Sequence, residues 1–263
     1  MQVTADENSR ETVAAKSLFK LQKWSEDEGF RCSQTKTVCV HLCHKRKLHP
    51  DPVLTLFNQP IPVVAENRFL GVVFDRKLNF KPHLQQVRIK CTKAMNLLKV
   101  VAHRDWGSDC KTLLKIYRST IRSKLDYGCI VYGSARKSYI QMLDPIQNQA
   151  LRLCLGAFRT SPVESLQVEC NEMPLSLRRD KLALQYAVRI RSNLRNPATT
   201  CMLDLGCAAL FLSKPNLVQP FSLRVRDLLE RANVDIKTVL KSCLPVVPPW
   251  TTDVPIVDLG LHT

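Results

Sequence analysis

The stretch Arg68-Phe69-Leu70-Gly71-Val72-Val73-Phe74-Asp75 is rich in β-branched and aromatic residues, which predicts a β-strand. A few residues later the pattern changes, because His83–Ala102 carries apolar residues at intervals of three and four, the period of a helix with one buried face. The change falls at Lys81. The chain is therefore expected to have the α+β fold class, with strands before Lys81 and mainly helices after it.

Upstream of this point, short segments with strand character alternate with turns. Residues 37–42 alternate like a half-buried strand, and residues 54–57 and 61–64 are further candidates, separated by proline-containing turns. Before them, Glu11–Glu28 has a helical period that stops at Gly29. The stripe of this helix that is expected to be buried consists of Val13, Leu18, Leu21 and Trp24. Residues 29–75 thus predict a small antiparallel sheet with one helix beside it.

Downstream of Lys81, the 3.6-residue period continues in a series of helices. The segments that show it are Asp109–Val131, Tyr139–Leu155 and Leu175–Asn193. A shorter helix is predicted at Phe221–Ala232, within a region from about Asn196 where the periodicity weakens. The rest of that region is predicted to be a proline-rich linker, ending in the segment Leu244–Trp250 and the tail that follows it.

The chain is strongly basic, and its charge is concentrated in one part. Its 263 residues include 39 Lys and Arg against 23 Asp and Glu, a formal charge of +16. Residues 31–137 hold 21 of these basic residues and only 6 of the acidic ones. A polyanion is the partner that such a face favours, because binding releases the counterions condensed on phosphates. The alternative is that Lys and Arg only keep the helices soluble.

The composition excludes several classes of protein. With 45% apolar and 24% charged residues the chain has a globular composition, not that of a disordered protein. No run of 18 apolar residues and no secretory leader are found, so no membrane partner is expected and the location is predicted to be intracellular, in the nucleus or cytoplasm. The scattered cysteines are expected to be reduced and to fill the core: Cys91, Cys110, Cys129, Cys154, Cys170, Cys201 and Cys207.

Motifs that would carry catalysis or hold a metal are sparse. A zinc site could use Cys32, Cys39, His41, Cys43 and His44, but no second ligand pair follows at suitable spacing, so no metal is predicted. The phosphate-loop pattern GxxxxGK, the dinucleotide pattern GxGxxG, the nucleophile pattern GxSxG and the zinc-protease pattern HExxH are all missing. Adjacent aspartates, which could bind a pair of magnesium ions, do not occur either.

Several segments together resemble the reverse transcriptases of non-LTR retrotransposons, specifically jockey-like elements of animals. They occur in the order found in that family and span about residues 15–195. The segments are Gly29–Thr37, Asn67–Asp75, Arg122–Cys129, Leu143–Asn148 and Leu151–Pro162.

The resemblance implies a division into three parts. Residues 1–80 would be the end of the polymerase palm, with its primer-grip hairpin, and residues 81–195 the helical thumb and connection region. Residues 196–263 would be a partly disordered linker towards a downstream domain. In this family the metal-binding aspartates lie upstream of such a segment, so the chain is expected to be inactive alone and to hold no cofactor, Mg²⁺ being expected for the full-length nucleotidyltransferase.

The resemblance also implies which residues would contact an RNA template and a DNA primer. Phe69, Leu70 and Gly71 would form the primer-grip hairpin. Lys36 would be the candidate proton donor to the leaving group, with a solvated lysine on a strand edge as the alternative. The basic residues placed to follow the duplex are Arg88, Lys90, Lys93, Lys99, Lys111, Lys115, Arg118, Arg122 and Lys124.

The implied function is a fragment of an RNA-directed DNA polymerase that keeps the elements for binding template and primer. The remainder of the retrotransposon polyprotein is a further expected partner. The alternative is a non-catalytic, basic helical module that binds nucleic acid or another partner. The two differ in how steeply binding to a primer–template duplex depends on salt.

Overall fold

Helices dominate the computed structural model and short strands accompany them, in agreement with the predicted α+β class. The structure describes residues 7–43, 50–103, 105–193, 196–203, 208–213 and 219–234. His44 and the proline-rich tail from residue 235 onward, which the sequence analysis singled out, lie outside these ranges. Among the described helices, none combines the length and the apolar character that a membrane crossing requires.

The strands are β1 (Cys39–Val40), β2 (Thr55–Leu56), β3 (Gln59–Pro60), β4 (Val63–Val64), β5 (Glu66–Phe69) and β6 (Val72–Asp75). They form three separate pairs, β1 with β4, β2 with β3 and β5 with β6, so the prediction of one small antiparallel sheet is wrong. The first pair is parallel and the other two are antiparallel. Pro60 and Pro62 have no N–H group to donate, which limits how far these ladders can extend.

The stretch that predicted a single strand, Arg68–Asp75, is instead the greater part of a hairpin. Phe69 of β5 pairs with Val72 of β6, and Leu70 and Gly71 form the two-residue turn between them. Both turn residues have positive φ, 46° and 83°, as a type I′ turn requires. Gly71 adopts this conformation without strain, whereas Leu70 is an uncommon residue there.

Helix α1 (Glu7–Asp27) is present, but its predicted buried stripe is wrong. Val13, Leu21 and Trp24 are exposed, whereas Ser25 is buried. The helix is in contact with β2 through one narrow region, where the backbone N–H of Phe57 donates to Gln22 Oε1. This small contact covers too little of the helix to bury the whole apolar stripe.

The helical part begins with α2 (Lys81–Val101), close to the predicted bounds. The following elements are α3 (Cys110–Tyr117), a π-helical turn (Arg118–Arg122), α4 (Ser123–Asp126), α5 (Cys129–Tyr132), α6 (Lys137–Ile140), a 3-10 turn (Gln141–Leu143), α7 (Asp144–Leu155), α8 (Val163–Glu169), α9 (Leu175–Arg191), α10 (Ala198–Leu203), α11 (Ala208–Ser213) and α12 (Phe221–Ala232). The predicted helix Asp109–Val131 is interrupted at Gly128, whose φ is +70°.

One apolar core joins these helices to strand β6. Its largest fully buried side chains include Leu84 and Leu98 of α2, Ile121 of the π-helical turn, and Tyr132 of α5. Complete burial of a leucine or isoleucine contributes about 1.5–3 kcal/mol, so the contacts between α2 and its neighbours stabilise the fold strongly. A smaller cluster forms where Val225 of α12 packs against Ala187 of α9.

The cysteine prediction is confirmed at four positions. Cys91, Cys129, Cys154 and Cys170 are free and buried, whereas Cys110 is free but exposed at the start of α3. Burial raises the pKa of Cys91 and Cys129 to about 11, so both thiols stay protonated at neutral pH. They therefore act as small apolar core residues.

Candidate nucleic-acid interface

The tip of the β5–β6 hairpin is attached to the helices by Tyr127. The Tyr127 hydroxyl donates a hydrogen bond to the carbonyl oxygen of Leu70 at 2.6 Å. At Gly71, an added Cβ would lie 3.0 Å from Cε1 of the Tyr127 ring, so the ring packs directly on the glycine backbone. Phe69 and Leu70 themselves are 63% and 75% exposed. The turn is thus held in place from one side while its two apolar side chains face solvent.

The position of Tyr127 depends on the break between α4 and α5. Gly128 adopts a left-handed conformation, and a Cβ added there would lie 2.9 Å from Cγ2 of the buried Val72. Only glycine therefore allows α5 to start this close to strand β6. The segment Arg122–Cys129, chosen from the sequence by resemblance, contains both residues that connect the helices to the hairpin.

An ion pair fixes the other side of the same break. Arg178 of α9 donates two hydrogen bonds to Oδ2 of Asp126, from Nη2 at 2.7 Å and from Nε at 3.2 Å. This hydrogen bond and the carboxylate charge raise the pKa of Arg178 above its ordinary value. The end of α4 is therefore anchored to α9 immediately before Tyr127.

A basic cleft lies between the hairpin and the helices. It has a volume of about 350 Å³, and its lining comprises Arg68, Gly71, His83, Val87, Lys90, Ser123, Lys124 and Tyr127. The three cations come from three elements, since Arg68 lies on β5, Lys90 on α2 and Lys124 on α4. No carboxylate is part of this lining. The cleft is therefore suited to an anion.

His83 is a buried member of this lining, with only 3% of its surface exposed. Its Nδ1 accepts a hydrogen bond from the backbone N–H of Val73 at 3.3 Å, and its Nε2 is buried without a hydrogen-bond partner. Burial, reinforced by the charges of Lys90 and Arg68, lowers the pKa of His83. The sequence analysis used His83 only as the start of a helix. The sequence did contain a signal for a buried polar residue: the His83 ring lies one turn before Val87, on the otherwise apolar face of that helix.

The predicted basic residues do not all offer their charge to solvent in the same way. Six of them are exposed: Arg88, Lys90, Lys93, Lys99, Lys111 and Lys115. By contrast, Arg118 and Arg122 both bind the buried carboxylate of Glu172, at 2.6 Å and 2.9 Å. The stripe Lys111, Lys115, Arg118 and Arg122 therefore divides into two free lysines and two arginines with an internal partner.

Lys36 is exposed and lies in a 3-10 turn (Gln34–Lys36). The alternative was a solvated lysine on a strand edge: the residue is solvated, but it is not part of any described strand. It is not part of the lining of the basic cleft. Its role near a triphosphate stays a prediction.

The zinc alternative finds no matching cluster in the part of the chain that the structure describes. No group of three or more His, Cys, Asp or Glu side chains there is arranged to hold a metal ion. His41 lies 3.4 Å from Asp51, which in turn pairs with Arg76. Burial raises the pKa of the Cys39 thiol, which disfavours the thiolate that zinc requires.

Comparison with known proteins connects this arrangement to retrotransposons. The chain is 27% identical over 188 residues to a Pol polyprotein from the type-1 retrotransposable element R1 of Nasonia vitripennis, which covers 67% of the chain and 55% of that protein. It is 29% identical over 146 residues to a probable RNA-directed DNA polymerase from the transposon X-element of Drosophila melanogaster, covering 52% and 15%. The RNA-directed DNA polymerase from the mobile element jockey of the same species is 26% identical over 200 residues, covering 75% and 21%.

No family model and no solved structure matches the chain. The chain spans about half the length of the first two curated relatives it matches, and less of the others. The homologues of this chain are Pol polyproteins and RNA-directed DNA polymerases of non-LTR retrotransposons of the R1, X-element and jockey types.

Proposed function

We propose that this chain binds the template–primer duplex in a retrotransposon RNA-directed DNA polymerase. The observation that supports this best is the hairpin tip held by Tyr127 beside a cleft with cations from three elements. The reaction is proposed from the names of the relatives. The place where a primer would be held is proposed from the position of the hairpin. The rest of the polyprotein would be the natural partner of this part.

The exposed cations provide the attraction for such a duplex. Lysine and arginine side chains on α2 and α3 can contact backbone phosphates, and each contact releases condensed counterions. Contacts of this kind position the protein on the duplex without reading its sequence. The duplex would therefore be held largely independently of its sequence.

The lysines of α3 provide a direct test of this proposal. Replacing both Lys111 and Lys115 by alanine is expected to make the plot of log affinity against log salt shallower by about 2, since each phosphate contact contributes about 1 to the slope. The matched control replaces Lys16 and Lys181, which are equally exposed but lie on α1 and α9. Fluorescence anisotropy with a labelled RNA–DNA primer–template measures both. An equal change in the two double variants would contradict binding through α3.

We further propose that the chain alone does not extend a primer. This rests on the resemblance, which places the metal-binding aspartates upstream, and on the lack of adjacent aspartates in the sequence. Incubation of the purified chain with primer–template, deoxynucleotides and Mg²⁺ is expected to give no extension above the buffer control. Templated incorporation above that background would overturn this part of the proposal.

A further inference from the structure

We propose that the basic cleft is a binding site for one phosphate group, with Nε2–H of His83 as the buried hydrogen-bond donor and Arg68, Lys90 and Lys124 as the surrounding cations. The inference rests on the proposed function for the source of that phosphate, the backbone of a bound duplex. Neither His83 nor Arg68 was among the predicted contact residues. It adds a defined subsite to what would otherwise be a diffuse basic surface.

The hydrogen-bonding of His83 determines which of its ring nitrogens can bind a ligand. A backbone N–H can only donate, so the contact from Val73 requires an unprotonated Nδ1. In the neutral ring the proton then resides on Nε2, which has no partner in the protein. A buried donor without a partner is costly to stability. An acceptor oxygen supplied by a ligand would remove that cost.

Three other polar side chains of the cleft already donate hydrogen bonds within the protein. The Tyr127 hydroxyl donates to Leu70, and the Ser123 hydroxyl donates to the carbonyl of Ser119. Lys124 donates one hydrogen bond to the carbonyl of Thr120, which positions its ammonium group and leaves two of its three protons available. Among the lining residues, the donors without a partner in the protein therefore come mainly from the cations and from His83.

Phosphate fits this set of groups better than other common anions do. Its non-bridging oxygens can accept hydrogen bonds from several directions at once, and the three cations are not opposed by any carboxylate in the lining. The volume of about 350 Å³ exceeds that of a single phosphate group and leaves room for the adjoining sugar. A phosphate within a polynucleotide backbone uses the cleft more fully than a free phosphate ion would.

Two substitutions separate the roles of the two ring nitrogens. In His83→Asn the amide oxygen can take the place of Nδ1 and keep the contact with Val73, but the Nε2–H donor is lost. In His83→Gln the amide nitrogen can take the place of Nε2 and keep that donor. We expect His83→Asn to weaken duplex binding about tenfold and His83→Gln to weaken it less. The double variant Arg68→Ala with Lys124→Ala should also bind at least tenfold more weakly, whereas Lys181→Ala, the control for lost charge, should bind like the wild type.

Nuclear magnetic resonance of the chain labelled with ¹⁵N in its histidines reports on the site directly. The resonance of His83 Nε2 is assigned by its loss in His83→Asn. We expect it to shift saturably with inorganic phosphate and, more tightly, with an RNA–DNA primer–template. In the double variant, both ligands should need at least tenfold higher concentrations to produce the same shift.

The outcomes distinguish the subsite from the proposed function. If the duplex binds but the His83 resonance does not move and all variants bind like the wild type, the subsite is overturned while duplex binding stands. If inorganic phosphate shifts His83 but the duplex does not bind, the phosphate site is supported and its source in nucleic acid is overturned. If neither ligand binds, both proposals fail.

Discussion

Replacing Arg118 and Arg122 together by methionine is expected to lower the free energy of unfolding by about 3 kcal/mol. Both guanidinium groups bind the carboxylate of Glu172, whose side chain is only 3% exposed. Arg122 contributes hydrogen bonds to both carboxylate oxygens, at 2.9 Å and 3.0 Å, and Arg118 contributes one at 2.6 Å. Without the two arginines a buried negative charge would have no partner, and the loss is large for that reason.

The expected value is at the lower end of the range for a broken buried ion pair. The Arg118 side chain is 39% exposed and that of Arg122 is 25% exposed, so water already screens part of the interaction. Adding Glu172→Met to the double variant should restore most of the stability, because the buried charge is then removed as well. Urea denaturation followed by circular dichroism measures all three proteins. A triple variant no more stable than the double variant would contradict this explanation.

This ion-pair group also changes how the two arginines can be tested as duplex contacts. They were predicted from the sequence as part of the basic stripe, yet both bind Glu172, and Arg118 also donates to the carbonyl of Cys170, so they support the chain segment after α8. A loss of binding in Arg118 or Arg122 variants would therefore combine loss of charge with loss of structure. Lys111 and Lys115, which are exposed, are the clearer test.

Replacing Gly128 by alanine is expected to destabilise the protein by about 2–5 kcal/mol. A left-handed conformation costs an alanine about 1–2 kcal/mol. The added Cβ would also meet Cγ2 of the buried Val72 at 2.9 Å, and relief of such overpacking costs about 1–3 kcal/mol. Because Gly128 precedes α5 and follows Tyr127, the hairpin tip should also lose its fixed position.

Gly156 provides a matched control, since its φ is +61° but no atom lies within 4 Å of an added Cβ. Gly156→Ala should therefore cost only the conformational part, about 1–2 kcal/mol. Combining Gly128→Ala with Val72→Ala should recover part of the difference, although it also leaves a small gap in the core. Thermal and urea unfolding measure these differences. Equal destabilisation in the two glycine variants would show that the contact with Val72 does not matter.

The periodic parts of the fold could be predicted from the sequence. Helices α2, α9 and α12 agree with the predicted segments to within a few residues, because each has apolar residues at helical spacing that pack in one of the two apolar clusters. The residue pattern alone predicted one strand here and not a hairpin. The reason is that the turn has Leu70 before Gly71, where an asparagine or aspartate is the usual turn signal. The predicted buried stripe of α1 was wrong because the helical period of apolar residues shows which face of a helix is apolar, but not whether another part of the protein covers that face.

The candidate site could not be predicted in full, because it is formed by contacts between residues that are far apart in the sequence. The bond between Tyr127 and Leu70 joins positions 57 residues apart, and the pairing of Arg122 with Glu172 spans 50. The unpartnered Nε2 of His83 becomes visible only when Val73 is seen to occupy Nδ1. Sequence reasoning could place the basic residues on helices, but it could not show which of them have internal partners.

The most direct test of duplex binding is the salt dependence of affinity for an RNA–DNA primer–template between about 50 and 200 mM salt. With contacts from the six predicted basic residues of α2 and α3 that are exposed, the account predicts a log–log slope of about −5. It also predicts a slope steeper than that of an unrelated protein carrying the same net charge of +16. A slope no steeper than that of the unrelated protein, unchanged by the Lys111 and Lys115 substitutions, would contradict it.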